Sequence, residues 1–300
     1  VEDYQDYLAV HGQIDFDDMI VKAIRYVKEG RFNSPWRYIL VDEFQDISDP
    51  RARLIKYLRD SAPECSLFCV GDDWQAIYRF TGSDLSFTTE FAQRFGTTKL
   101  TALDLTFRFN NSISDIASRF VQENPNQMRK QLHTYKTVTT PAVSLFREDS
   151  RYDKEGELPA RLIKVLNSIA QQETVNHSAN HSSNRSVYLL ARYGFSLPDS
   201  SQLKQLARQF PQLNIKASSI HASKGMEADY VVLLGLESGK HGFPSQKQTH
   251  PLLEALLPVA EDYAHAEERR LFYVALTRAK QRAYLVTDMT QASDFVIELL

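Results

Sequence analysis

The chain has 300 residues, 43% hydrophobic and 24% charged, with a net charge of −3 and an isoelectric point near 6.3. Such values fit an ordinary globular protein with room for about two domains, and they argue against a histone-like binder that works through a global basic field. A motor with a local basic groove on an acidic body stays admissible.

Residues 1–30 place Phe16, Met19, Ile20, Ala23, Ile24 and Val27 at helical spacing, with Asp15 as the N-cap. The chain opens at Val1 within this helical pattern, which suggests an excised fragment. Two β-rich runs follow, Tyr38–Val41 before Asp42-Glu43 and Leu67–Val70 before Gly71-Asp72-Asp73, with a helix expected over 50–61 between them. Strand, helix, strand with polar residues at the strand ends predicts a parallel α/β sheet. A hinge is expected near 103–106. Beyond it, strands are predicted near 142–146, 187–191, 215–218, 230–235 and 283–287, and helices near 111–122, 157–172, 200–209 and 261–279. The polar stretch 176–184, with His177 and His181, and the Gly-, Pro-, His- and Gln-rich stretch 240–251 read as exposed loops.

Cys65 and Cys69 have no two further ligands at zinc spacing, so they read as buried free thiols on a strand. So few cysteines, no secretory signal and no apolar run of membrane length lead to the expectation of a soluble, cytoplasmic protein without a membrane partner.

Five stretches carry chemistry. In Ile39-Leu-Val-Asp-Glu-Phe-Gln-Asp46 an apolar strand delivers two carboxylates; Asp42 suits a magnesium shell and Glu43 an attacking water, although the same pair can simply cap a helix. In Val70-Gly-Asp-Asp-Trp-Gln-Ala-Ile-Tyr-Arg-Phe80, Gln75 could sense a terminal phosphate, and Tyr78 and Phe80 either stack on bases or belong to the core. Leu105-Thr-Phe-Arg-Phe109 offers Arg108 to a phosphate or to solvent. Ser219-Ile-His-Ala-Ser-Lys-Gly-Met-Glu227 places Lys224 and Gly225 in a loop suited to phosphate contact ahead of a buried strand. In Glu267-Glu-Arg-Arg-Leu-Phe-Tyr-Val-Ala-Leu-Thr-Arg-Ala-Lys280, ion pairs along the helix account for Glu267, Glu268, Arg270 and Arg269, but not for Thr277-Arg278-Ala279.

In this order and spacing the five stretches resemble the UvrD/Rep family of superfamily 1 DNA helicases over nearly the whole chain. The resemblance implies RecA-like parallel-sheet domains of the P-loop NTPase class. It implies that Asp42 ligates Mg2+, that Glu43 is the general base, and that Gln75 couples the terminal phosphate of ATP to the DNA groove. Phe107 falls where the family stacks adenine, Glu227 where it contacts ribose, and Arg108 and Arg278 at the two arginine fingers. Tyr78, Phe80 and His221 fall at positions touching single-stranded DNA, with Phe80 the stacking platform. The implied partners are single-stranded and tailed duplex DNA; protein partners are not indicated.

The sequence also departs from the family. It holds no Gly-x-x-x-x-Gly-Lys-Ser/Thr, and its one Gly-Lys pair, Gly239-Lys240, is followed by His241. Without that loop, tight ATP binding has no physical basis, and the family's adenine-reading glutamine segment is missing too. The interval between Arg108 and His221 lacks room for the extra domain of UvrD-type relatives, and Thr81 stands where many carry arginine. The expected organisation is a helical remnant of an insert domain over 1–35, the end of a first motor domain over 36–104, and a nearly complete second motor domain over 105–300. ATP would sit between the two motor domains, driving 3′ to 5′ movement on DNA, with this piece alone inactive. The competing readings are a non-catalytic DNA-binding module with a helicase-like shape, and the helicase part of a helicase–nuclease.

Overall fold

The computed structural model describes residues 2–62, 64–147, 158–176 and 184–300. Two compact units divide them: residues 1–100 with 251–260, and residues 101–250 with 261–300. The proposed histidine-bearing loop lies almost wholly outside the described residues, since 177–183 are not among them.

In the first unit the expected single helix is two, α1 (Glu2–Val10) and α2 (Phe16–Lys28), separated by a turn at His11–Gly12. Asp15 caps α2, its Oδ1 accepting the Asp18 N–H at 2.7 Å. Ile24 and Val27 are buried on the face of α2 that meets α3 (Asp49–Asp60), whose N1/N2 proline fixes its start. Strands β1 (Tyr38–Val41) and β2 (Ser66–Cys69) pair in parallel on either side of α3. Their inward residues Val41, Leu67 and Cys69 pack on a small core of Phe44, Ile47, Ala52, Phe87 and Phe95, the last two supplied by the short helices α4 (Ser86–Thr89) and α5 (Phe91–Phe95). Their outward residues Tyr38, Leu40 and Phe68 are exposed.

The second unit opens with β3 (Leu105–Asn110), where only a hinge was expected, followed by α6 (Asn111–Gln122) and β4 (His133–Lys136), which pairs in parallel with β3. The expected hinge at 103–106 overlaps the start of β3, whose register to β4 shifts between Thr106 and Asn110, so no clean alternation marks the strand. The remainder alternates strand and helix: β5 (Val143–Arg147), α7 (Ala160–Asn176), β6 (Arg185–Ala191), α8 (Ser200–Gln209), β7 (Leu213–Ser219) and β8 (Ala228–Leu234). The short α9 (Pro251–Glu254) belongs to the first unit; α10 (Ala266–Leu276), β9 (Ala279–Thr287) and α11 (Asp294–Glu298) complete the second. Strands β5-β9-β8-β6-β7 form one all-parallel sheet.

Continuous apolar strands fit burial on both faces. On one face, Val187, Leu189, Val232 and Val286 meet Leu162, Val165, Leu166 and Ile169 of α7. On the other face, residues such as Leu233 and Leu285 alternate toward α10 and α6, which contact the sheet and each other. Stretch 240–251 is not the surface loop its composition predicts throughout, because Phe243 is fully buried, 5.6 Å from the ring of Phe272 and 5.9 Å from that of Phe295. Among the described residues no helix is long and apolar enough to cross a membrane.

Candidate functional site

In the first unit the functional groups follow the carboxyl ends of β1 and β2. Asp42 and Glu43 are exposed at the end of β1. Glu43 has a left-handed backbone (φ 49°), and its N–H is held by Asp42 Oδ1 at 2.8 Å. A left-handed glutamate is unusual and marks a turn fixed by its surroundings. Those surroundings are Val70, whose carbonyl accepts the Phe44 N–H, and the buried Gln45. Gln45 Nε2 donates to Glu43 Oε2 at 2.6 Å, while its Oε1 accepts the Asp72 N–H at 2.9 Å. Asp72 Oδ2 in turn accepts Gln75 Nε2 at 2.6 Å. One hydrogen-bonded chain therefore runs Glu43–Gln45–Asp72–Gln75. Sequence reading misses Gln45 and Asp72 as site residues, because the bond that joins them spans 27 residues of chain.

Trp74 and Ile77 of the second motif are fully buried, whereas Phe80 is 60% exposed and lies 5.9 Å from Tyr78, edge to face. Phe80 is therefore not a core residue. Burial raises the Tyr78 phenol above its ordinary pKa, with the Asp46 and Glu43 carboxylates adding to the shift. Arg79 turns to α9, its guanidinium pairing with Glu254 at 2.5 Å and donating to the Pro258 carbonyl. Both cysteines are free, but they are half-buried, not buried as expected, and Cys65 lies just before β2 and not on it; burial still pushes the Cys69 thiol up to about 12. No group of three or more potential metal ligands occurs among the described residues. Asp42 nevertheless suits a magnesium ion, which takes one or two carboxylates and completes its octahedron with phosphate oxygens and water.

In the second unit a charged cluster gathers where β8 and β9 begin. Glu227 Oε1 meets Lys280 Nζ at 2.6 Å, and its Oε2 lies 3.6 Å from Arg108 Nε. The Lys280 hydrogen bond holds the Glu227 carboxyl below the usual glutamate range, helped by Arg108 and Lys136. Arg278 is fully buried after the C-terminus of α10, where a cation complements the helix dipole. Its Nε donates to the Val274 carbonyl at 3.0 Å and an Nη to the Met226 carbonyl at 3.3 Å, next to Glu227. Phe107 is 61% exposed, and its ring centroid is 5.2 Å from that of Tyr135, itself 70% exposed. Lys280 and Tyr135 are further residues the sequence reading missed. Lys224 and Gly225 lie in the loop before β8, Gly225 left-handed at φ 81°. His221 stands apart from the cluster, on the turn that follows the carboxyl end of β7.

The ion pairs expected along α10 are instead tertiary: Arg192 with Glu268, Arg269 with Glu298 and Arg270 with Glu261. Three helix residues thus fasten separate segments of the unit, which makes them structural.

Parallel sheets with polar groups collected at the strand ends define an α/β protein, and the family matches make that fold RecA-like. Residues 1–96 match the UvrD/REP helicase N-terminal domain and residues 119–289 the UvrD-like helicase C-terminal domain, and the chain belongs to this family. It is 43% identical over 289 residues to DNA helicase IV of Escherichia coli, covering 96% of this chain and 39% of that protein. It is 27% identical over 294 residues to a probable DNA helicase of Mycoplasma pneumoniae, covering 95% of this chain and 50% of that one. The chain thus spans half or less of these relatives. A solved structure, of PRRSV helicase, aligns with a TM-score of 0.40 and 16% identity over 83% of this chain and 34% of its own.

Proposed function

We propose that this chain is the part of an ATP-driven DNA helicase that senses nucleotide and grips single-stranded DNA, moving 3′ to 5′ on tailed substrates. In this reading 1–35 is the remnant of an insert, 36–104 the end of a first motor domain and 105–300 a second motor domain. The observation that carries it is the chain Glu43–Gln45–Asp72–Gln75, which ends three residues before Tyr78 and five before the exposed Phe80.

Glu43 takes a proton from the water whose oxygen attacks the γ-phosphorus of ATP, as the bond to the β-phosphate oxygen breaks and ADP leaves. Asp42 would hold Mg2+, which supplies charge neutralisation on the phosphate oxygens when bound. Arg108 and Arg278 stabilise the charge that spreads on the transferred phosphoryl group, Phe107 stacks the adenine, Glu227 accepts the ribose hydroxyls, and Lys224 with Gly225 contacts phosphate. The relay ties Glu43 at the terminal phosphate to Gln75, and the short segment that leaves Gln75 carries the change to Tyr78 and Phe80 on the DNA path, with His221 as a further contact.

These 300 residues contain no glycine-lysine loop around the phosphates, so the chain by itself is expected to bind single-stranded DNA without hydrolysing ATP. Fluorescence anisotropy with labelled oligothymidylate checks the first half, Phe80→Ala weakening binding roughly 5- to 150-fold. DNA-stimulated phosphate release by the chain itself would contradict the second half, and an undiminished affinity in Phe80→Ala would remove Phe80 from the DNA path.

A further inference from the structure

The loop that leaves β6 carries a feature that neither the five motifs nor the ion-pair scaffold absorbs. Tyr193 and Phe195 stack with ring centroids 5.2 Å apart and planes within 9° of parallel. His241 meets both edge-on, at 5.7 and 5.5 Å. The Arg192 guanidinium lies 4.8 Å from the centre of Tyr193 and is itself fixed by Glu268 at 2.8 Å. Phe195 is 70% exposed, so this stack is not part of the core.

The arrangement is held in place from several sides. Tyr193 Oη shares a hydrogen bond with Ser245 Oγ at 2.7 Å. The His241 turn is pressed against the chain at Glu237, where a Cβ on Gly242 would meet the Glu237 carbonyl at 2.0 Å, so only glycine fits. Phe195 also borders a cavity of about 310 Å³ with Leu158, Leu197 and Val286.

Position gives the stack its meaning. Ala191 ends β6, and its carbonyl accepts the N–H of Ile220, the residue before His221. Arg192 and Tyr193 therefore adjoin the turn that carries the proposed DNA contact of this unit, at the same edge of the five-stranded sheet. The exposed Phe195 ring, backed by the half-buried Tyr193 and the Arg192 cation, suits single-stranded nucleic acid, because every base offers a π-face and stacking tolerates any sequence. Lys240, next to His241, is exposed and supplies a charge for the backbone.

We propose that Tyr193 and Phe195, edged by His241, form a second base-stacking platform for single-stranded DNA. It deepens the DNA-binding reading of this unit and rests on it. The test is anisotropy of a fluorescein-labelled oligothymidylate titrated with the 300-residue chain. Phe195→Ala is expected to weaken binding roughly 5- to 150-fold, and Phe195→Trp to keep it, at unchanged melting temperature. An oligonucleotide carrying 2-aminopurine should be quenched on binding by the wild type and less so by Phe195→Ala. If Phe80→Ala weakens binding while folded Phe195→Ala and Tyr193→Ala bind like wild type, the platform is refuted and the DNA-binding reading stands. If the chain binds no oligothymidylate, both fall.

Discussion

Gln45→Met cuts the link between the Asp42-Glu43 turn and the Gly71–Gln75 turn while keeping the length and most of the volume of the side chain. Two bonds are lost, one donated to Glu43 and one accepted from the Asp72 N–H. Glu43 is exposed and regains water, so its bond is worth about 1 kcal/mol, below the usual range for charged partners. The Asp72 amide is half-buried and loses its acceptor, which costs about 1–2 kcal/mol. The expected loss is about 2–3 kcal/mol in the first unit. With a urea slope of about 1.5 kcal/mol per molar, the midpoint falls by about 1.3–2 M. Both tryptophans, Trp36 and Trp74, belong to that unit, so intrinsic fluorescence follows its unfolding alone. Trp74 is fully buried, and its backbone N–H donates to Asp72 Oδ1 at 3.1 Å, which makes the signal sensitive to the severed turn. Gln45→Ala should lose about 1 kcal/mol more through the cavity it leaves. A Gln45→Met midpoint indistinguishable from wild type would show that the two turns are held by packing, and that the relay carries nothing.

Two further perturbations probe the second unit. Burial raises the Glu237 carboxyl above the usual glutamate range, against the opposing pull of the Asp288 N–H and Arg161. A raised folded value means that wild-type stability is lost as pH climbs from about 4.3, the ordinary value, through the folded one. Glu237→Gln should therefore gain on wild type in calorimetric melts as pH rises from 4 to 7, and a gap that narrows instead would reverse the sign. Arg185→Met removes the partner of the nearly fully buried Glu173 at 2.9 Å, although the Tyr230 hydroxyl still donates to that carboxylate. A loss of about 3 kcal/mol is expected in hydrogen-exchange protection of β8, and protection equal to wild type would show that the guanidinium contributes little.

The parts of the fold legible in the sequence are those with a regular period and a cap. Helices α6 and α8 stand at the predicted bounds because Asn110 and Asp199 cap them and their apolar faces are clean. Helix α10 begins later than predicted, since His265 takes a left-handed backbone and Glu261 is committed to Arg270. Strand β4 has no apolar alternation in His133-Thr-Tyr-Lys136, and so left no trace. The acidic pair, the arginines and Phe80 were readable because a family motif names them. Gln45, Tyr135, Lys280 and the Tyr193–Phe195 stack were not, because each acquires its role from a neighbour distant in the chain. Phe243 shows the same limit in the core: one apolar residue among glycine, proline and histidine has no period to reveal it.

The loop from Ser219 to Glu227 joins two edges of one sheet. His221 lies past the end of β7, Glu227 lies just before the start of β8, and a parallel connection must travel from one edge to the other. A rigid loop would make any displacement at the Arg108–Glu227–Lys280 cluster felt at His221, whereas a slack one would not. Rigidity is set by the turn in which Met226 N–H bonds to the Ser223 carbonyl at 2.9 Å and the Met226 carbonyl receives Arg278. That turn needs the left-handed Gly225, whose missing Cβ would meet nothing within 4 Å, so conformation and not space is what selects glycine. Gly225→Ala should then cost about 1 kcal/mol, or about 2–4 °C in the melting of a unit this size. Gly225→Asn should recover much of it, because asparagine tolerates the left-handed region. If alanine and asparagine melt together with wild type, residue 225 does not hold this conformation in solution, and the two edges are mechanically separate.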